Sequence, residues 1–228
     1  MQSSWCLKLL KKAILPSGEN LRTIPLGFFR GLRCPIDFSY QTQLYFGLWE
    51  RETYPFLRRG ALDCAWAVDI GAGSGELVVA LLIKSKARTV IACEPLPAER
   101  AKLNQLIAQN CASQETRLTL VTKYIGSTKD GAHEPLDDIV KGQIGRGFIK
   151  VDVDGAELDV LASASAILAR GNVDLLIETH SNNLEKACIE LLRRTGFRYE
   201  IVPNAWWRVI VPEQRPIDHN RWLWATKA

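Results

Sequence analysis

Asp69, Gly71, Gly73, Gly75 and Glu94 have the types and spacing of a site for a nucleoside-bearing cofactor. The stretch Val68-Asp-Ile-Gly-Ala-Gly-Ser-Gly-Glu76 alternates three glycines behind an acidic residue. An apolar run leads in from Cys64 to Ile70, and another leads out from Leu77 to Ile83. This order predicts a strand, a tight turn and a helix. Glycine lets a ligand approach bare backbone, and the helix start behind it offers free N–H groups. Glu94 ends the next apolar run, 23 residues after Gly71. A doubly wound fold places its ribose-gripping carboxylate about 20 residues on.

Charge separates two cofactor classes. A dinucleotide fingerprint reads Gly-x-Gly-x-x-Gly, whereas Glu76 stands at the sixth position here. A carboxylate in the first helical turn repels a pyrophosphate. S-adenosylmethionine carries no phosphate, and its ammonium group suits a carboxylate such as Asp69. The expected cofactor is therefore S-adenosylmethionine, held by Asp69, Gly71, Ala72, Gly73, Gly75, Glu94 and Asp152. The plainer alternative is an α/β turn with surface carboxylates.

Ile149-Lys-Val-Asp-Val-Asp-Gly-Ala-Glu157 is the second dense motif. Asp152 terminates an apolar strand-like run, and Glu178 terminates another with His180 two residues on. Ligands of open α/β sheets sit at such strand ends. Methyl transfer to an alcohol needs the oxygen held in line and its proton removed. His180 has the natural pKa for a base, with Asp152 and Glu178 beside it. These are the candidate catalytic residues; a satisfied rim histidine is the plain alternative. Asp152, Asp154 and Glu178 could instead hold a divalent metal. Helix capping accounts more simply for Asp154 and Glu157, so metal-free catalysis is expected. His133 and His219 lie in polar stretches and read as surface groups.

The 228 residues support one domain with a sizeable core, or one domain plus an appendage. A hydrophobic content of 47% and a charged content of 24% are ordinary for a globular protein. The net charge of +4 is mild, and there is no dense basic stripe with interleaved aromatics, so no nucleic-acid partner is expected. Six cysteines lie far apart with no Cys-x-x-Cys pair, which points to buried reduced thiols and a cytoplasmic setting. No His/Cys group has zinc-ligand spacing, and no apolar run is long enough to span a bilayer. The segment Trp5 to Leu15 is apolar and basic, with Leu7, Leu10 and Ile14 on one helical face. Packing on the domain is its first reading; peripheral contact with an anionic membrane is its second.

These side chains need an alternating frame. The expected strands are Ala65 to Ile70, Thr89 to Cys93, Arg117 to Thr122, Gly147 to Val151 and Val173 to Ile177. Expected helices run from Glu76 to Lys86, Pro97 to Asn110, Ala156 to Ala169 and Leu184 to Thr195, with a short piece at Leu136 to Lys141. Alternation of this kind gives a parallel sheet. Phe197 to Val202 and Trp222 to Thr226 have no helix between them and should form an antiparallel edge, unlike a dinucleotide-binding sheet. The predicted class is α/β, Rossmann-like, with seven strands. Residues 1–60 form a lead-in and 61–228 the main domain. Tyr45, Phe46 and Trp49 in the first, and Trp206, Trp207 and Arg208 in the insert before Trp222, are candidate acceptor walls.

From Phe46 to Ala225 the chain resembles the FkbM-type S-adenosylmethionine-dependent methyltransferases. Phe46-Gly-Leu-Trp-Glu50 resembles the Gly-x-x-Glu element ahead of the family's cofactor strand. Val68 to Gly75 resembles its glycine motif, with Gly73 where Asn is frequent. Glu94-Pro95 resembles the ribose-binding pair. Phe148 to Glu157 resembles the most specific signature, with Asp154 where Glu is usual. Ile177-Glu-Thr-His180 resembles the next rim segment. The resemblance implies a class I methyltransferase fold, S-adenosylmethionine as donor, and O-methylation of a sugar, glycolipid or other small-molecule hydroxyl. N-methylation, a non-catalytic binding protein and an NAD-dependent oxidoreductase are the alternatives.

Overall fold

Apolar segments rich in β-branched residues, four of them followed directly by a helix, build the sheet. The structure, a computed structural model, describes residues 18–205, 208 and 219–227. Two units are distinct, Met1–Arg51 and Glu52–Ala228. In the first, β1 (Asn20–Thr23) and β2 (Arg33–Ile36) pair antiparallel. Tyr45 stands edge-on to Phe38 and Phe46, and Trp49 lies against Phe29.

The second unit begins with a short helical stretch to Ala61 and then builds the main sheet. Its strands are β3 (Trp66–Ile70), β4 (Thr89–Cys93), β5 (Leu118–Val121), β8 (Gly147–Val151), β9 (Val173–Thr179), β10 (Arg198–Val202) and β11 (Arg221–Thr226). Between β5 and β8, β6 (Tyr124–Ile125) and β7 (His133–Glu134) form a small parallel pair of their own. The order across the main sheet is β10-β11-β9-β8-β3-β4-β5. β3, β4, β5, β8 and β9 run parallel, while β11 and β10 are antiparallel. The expected seven-stranded sheet with an antiparallel edge is thus the one found. β3 sits where the order reverses, with β4 on one side and β8 on the other, and crevices form at such switch points.

Every residue of β3, β8 and β9 is buried, as expected of strands covered on both faces. One face carries Trp66, Val68, Ile70, Ile149, Val151, Leu175 and Ile177 into a core shared with Val160, Leu161, Ile167, Leu168, Cys188 and Leu192. Each such side chain, fully buried, contributes roughly 1.5–3 kcal/mol. The opposite face is partly polar. Asp69 is paired in register with Lys150, and Glu178 with Trp222.

Two elements differ from expectation. The helix predicted over Ala156 to Ala169 is two helices, Glu157–Ala162 and Ser165–Arg170. Ser163 breaks it: its hydroxyl donates to the Val160 carbonyl at 2.7 Å and accepts the Leu136 N–H at 3.1 Å. Asp137 then accepts the N–H groups of Ala166 and Ile167 at 2.7 and 2.9 Å, starting the second helix. Strand β9 also continues past Ile177, because its antiparallel partner β11 takes Glu178 and Thr179 into the ladder. Glu178 therefore lies within a strand rather than beyond one.

Cys64, Cys93 and Cys188 are buried free thiols, and Cys34 and Cys111 are buried too. No helix among the described residues is long and apolar enough to cross a membrane. The segment Trp5 to Leu15 lies outside the described residues.

Candidate active site

The glycine turn is pinned between two strand ends. The Gly71 and Ala72 N–H groups donate to the Cys93 carbonyl at 3.0 and 3.1 Å, and the Asp152 N–H donates to the Ile70 carbonyl at 3.0 Å. Gly71 has φ +78°, and a Cβ there would stand 1.8 Å from the Asp152 carbonyl oxygen. Gly73, with φ +52°, faces open space. The turn thus presses against β8 at one glycine and leaves open space at the next. Gly75, also left-handed, leads into the helix Glu76–Lys84. Glu76 is buried and accepts the Ser74 hydroxyl at 2.8 and 2.9 Å; burial raises its pKa.

Glu94 follows β4 directly. One carboxylate oxygen accepts the Gly73 N–H at 2.8 Å and the other accepts the Leu96 N–H at 2.8 Å. The side chain is thereby fixed across the turn. Each oxygen keeps a lone pair for a further donor. Pro95 precedes the exposed Leu96, and the Arg100 guanidinium donates to both the Glu94 and Pro95 carbonyls.

Asp69 lies under this turn and is 1% exposed. Burial pushes its pKa up to about 6, with the Lys150 ammonium 3.6 Å away working against that rise. Its Oδ1 is buried with no hydrogen-bond partner. Lys150 Nζ also lies 3.0 Å from Asp152 Oδ2 and 5.7 Å from the centre of the Trp222 ring. Burial disfavours a charged Asp152, yet Lys150, a hydrogen bond with Glu178 and the nearby His180 outweigh it and lower its pKa.

His180 meets carboxylates on both ring nitrogens. Its Nδ1 is 2.5 Å from Glu157 Oε1, which also accepts the Gly155 N–H at 2.9 Å. Its Nε2 lies 3.2 Å from Asp154, 3.7 Å from Asp152 and 3.8 Å from Glu178. Burial opposes the charged imidazole, but Glu157, Asp152 and Asp154 together raise its pKa above 6.5. The three proposed catalytic side chains, Asp152, Glu178 and His180, are therefore brought together.

Several expectations change. Asp154 is not the helix cap: Ala156 holds that position, and Asp154, at φ +47°, turns the chain beforehand and places its carboxylate near His180. Glu157 is fully buried and does more than cap, since it holds the imidazole. His219 is not a plain surface group; its Nε2 lies 3.3 Å from Glu185, which also binds Arg221. His133 is half-exposed beside Asp130. Arg208 pairs with Glu52. Trp206 and Trp207 lie outside the described residues. Sequence reasoning gave no role to Lys150 or Trp222. A lysine inside an apolar strand was a usable signal for the first. The second depends on antiparallel register, which no local pattern discloses.

Comparison with known proteins agrees with the motifs. Residues 127–199 match the family model described as the methyltransferase FkbM domain. The structure resembles a methyltransferase FkbM from Methylobacillus flagellatus KT with a TM-score of 0.59 and 19% identity, covering 72% of this chain. This chain spans 44% of that protein's length. An rRNA methylase from Streptococcus thermophilus gives a TM-score of 0.53 at 19% identity, covering 78% of this chain and 95% of its own. A Streptococcus mutans protein in complex with SAH gives 0.51 at 14% identity, covering 76% and 94%. No curated protein matches in sequence. The protein has a class I methyltransferase fold, and residues 127–199, which include the Phe148–Glu157 and Ile177–His180 motifs, match the FkbM methyltransferase domain.

Proposed function

We propose that this protein is an S-adenosylmethionine-dependent O-methyltransferase acting on a hydroxyl of a saccharide, glycolipid or secondary metabolite. The observation that carries the reading is the Glu94 carboxylate clamped to the Gly73 N–H across an open glycine turn. A ribose diol fits two such oxygens. Asp69 Oδ1, which makes no hydrogen bond although Lys150 Nζ lies 3.6 Å away, suits the ammonium of the methionine end. Both features fit this cofactor, and the buried Glu76 beside the turn disfavours a pyrophosphate.

When bound, S-adenosylmethionine supplies a sulfonium methyl, whose bonding pair stays on sulfur as the methyl passes to the acceptor oxygen. Glu94 and the glycine turn would hold the nucleoside end. Asp152, Glu178 and His180 would face the acceptor, orient its hydroxyl and accept its proton at His180 Nε2 or a neighbouring carboxylate oxygen. Neutral His180 is the competent base, so its raised pKa places the acid limb of turnover above pH 6.5.

Glu94→Ala tests the cofactor site. Losing charge-assisted hydrogen bonds costs roughly 1.5–3 kcal/mol, an order of magnitude or more in affinity. Calorimetry with S-adenosylhomocysteine reads this directly, with NAD as the control ligand. Unchanged affinity in a folded Glu94→Ala protein, or tighter binding of NAD, overturns the reading.

A further inference from the structure

We propose that Asp152, Glu178 and the Nε2 of His180 form a binding site for one divalent cation of the Mn2+ or Mg2+ kind. The site's existence is independent of the methyl-transfer reading; its use in catalysis rests on it.

Geometry is the first support. One ligand atom from each of the three residues can be chosen so that all lie within 4.8 Å of one another. Opposite ligands of a cation with bonds near 2.1 Å stand about 4.2 Å apart, so small side-chain rotations suffice. Asp152 presents a different oxygen to each neighbour: Oδ2 faces Lys150, while Oδ1 faces His180.

The imidazole supplies an independent observation. The His180 side chain is 8% exposed, yet its Nε2 has no hydrogen-bond partner and points among the carboxylates of Asp152, Asp154 and Glu178. A buried ring nitrogen in a folded protein is normally satisfied. The other nitrogen is satisfied strongly, by fully buried Glu157, whose position the Gly155 N–H fixes. A carboxylate behind a histidine sets the ring's tautomer and aims the far nitrogen's lone pair at a metal.

Charge is the third support. Asp152 and Glu178 stand 3.7 and 3.8 Å from the same ring nitrogen of His180. Glu178, Asp154 and Glu157 all approach this one imidazole. Carboxylate oxygens with one imidazole suit a hard or borderline cation and not a thiophilic one. Asp154, in its left-handed conformation and with an exposed carboxylate, is placed to add a fourth ligand. A cation there would occupy the lone pair of His180 Nε2 and polarise an acceptor hydroxyl at the rim, so that in the metal-bound protein a carboxylate oxygen, not the imidazole, would take the proton.

The test uses the full chain, stripped with EDTA and titrated with MnCl2 while free Mn2+ is followed by electron paramagnetic resonance. One Mn2+ per chain is expected, displaced by excess Mg2+, with nitrogen modulation in the spin echo from a coordinated imidazole. His180→Ala and Asp152→Asn should weaken binding at least tenfold, and Glu157→Gln by about tenfold or more. Absence of binding up to millimolar Mn2+ by the natively folded chain overturns the proposal. So does a bound Mn2+ without nitrogen modulation, which needs no variant to fold. S-adenosylhomocysteine binding, measured on the same stripped protein, separates the two readings: its loss speaks against the cofactor site, and loss of Mn2+ binding against the metal site.

Discussion

Asp69 and Lys150 stand directly opposite each other in adjacent parallel strands, with Nζ and Oδ1 3.6 Å apart. The lysine is the nearest compensation for a carboxylate that is 1% exposed, and it also serves Asp152. Removing one partner of a buried pair leaves an uncompensated charge. Lys150→Met should therefore lower stability by about 3–5 kcal/mol. Urea denaturation at neutral pH measures the loss; a change below 1 kcal/mol by the same principle would show that the pair contributes little.

The same carboxylate should make binding of the proposed cofactor depend on pH. Its folded pKa of about 6 is raised above the ordinary 3.8, so its protonation stabilises the fold at low pH and that contribution is lost as pH rises through 6. A bound ammonium would pull the pKa back down. Affinity for S-adenosylhomocysteine should then rise with pH, by up to about tenfold per unit, and level off above pH 6. Calorimetry in buffers of different ionisation heats should detect proton release near pH 5. A flat affinity from pH 5 to 7 contradicts the placement of Asp69.

Two glycines in one turn should respond differently to the same change. Gly71→Ala drives a methyl group into the Asp152 carbonyl and should unfold the turn or the protein. Gly73→Ala has open space and costs roughly 1–2 kcal/mol for its left-handed backbone. The second variant should remain folded yet lose cofactor affinity, because the added methyl takes up space that the proposed ligand would fill. Thermal melts and calorimetry distinguish the two; full affinity in Gly73→Ala would place the ligand elsewhere.

His180→Ala should reduce turnover far more than cofactor affinity. Its stability effect has a definite sign. The folded pKa is raised, so ion pairing stabilises the protein fully below about pH 6.5, the ordinary histidine value, and fades as pH rises through the folded value. The stability gap between wild type and variant should narrow from pH 6 to 8. A gap that widens instead assigns the ring a neutral, packed role.

The parallel core was legible because each strand is a short apolar run closed by an acidic residue or a turn. Thr89–Cys93 and Gly147–Val151 fall where the pattern put them, as does the helix Pro97–Asn110. The glycine turn and its contact with Glu94 were legible for the same reason: both are set by local backbone demands. The break at Ser163 was not, because it depends on Leu136 and Asp137, distant in sequence. Nor was the role of Glu157, which needs a histidine 23 residues away to be folded over it. Asp154 looked like a cap because acidic residues before a helix usually are; its positive φ is a tertiary outcome.

Cys93 offers a clock for the turn. Its carbonyl holds the Gly71 and Ala72 N–H groups, its sulfur is buried, and burial raises the thiol's pKa. Alkylation at that sulfur requires the strand end to open. The rate at which a maleimide consumes it therefore reports the lifetime of the closed turn. A nucleoside ligand bridging Gly73 and Glu94 would slow that reaction, whatever the methyl acceptor is.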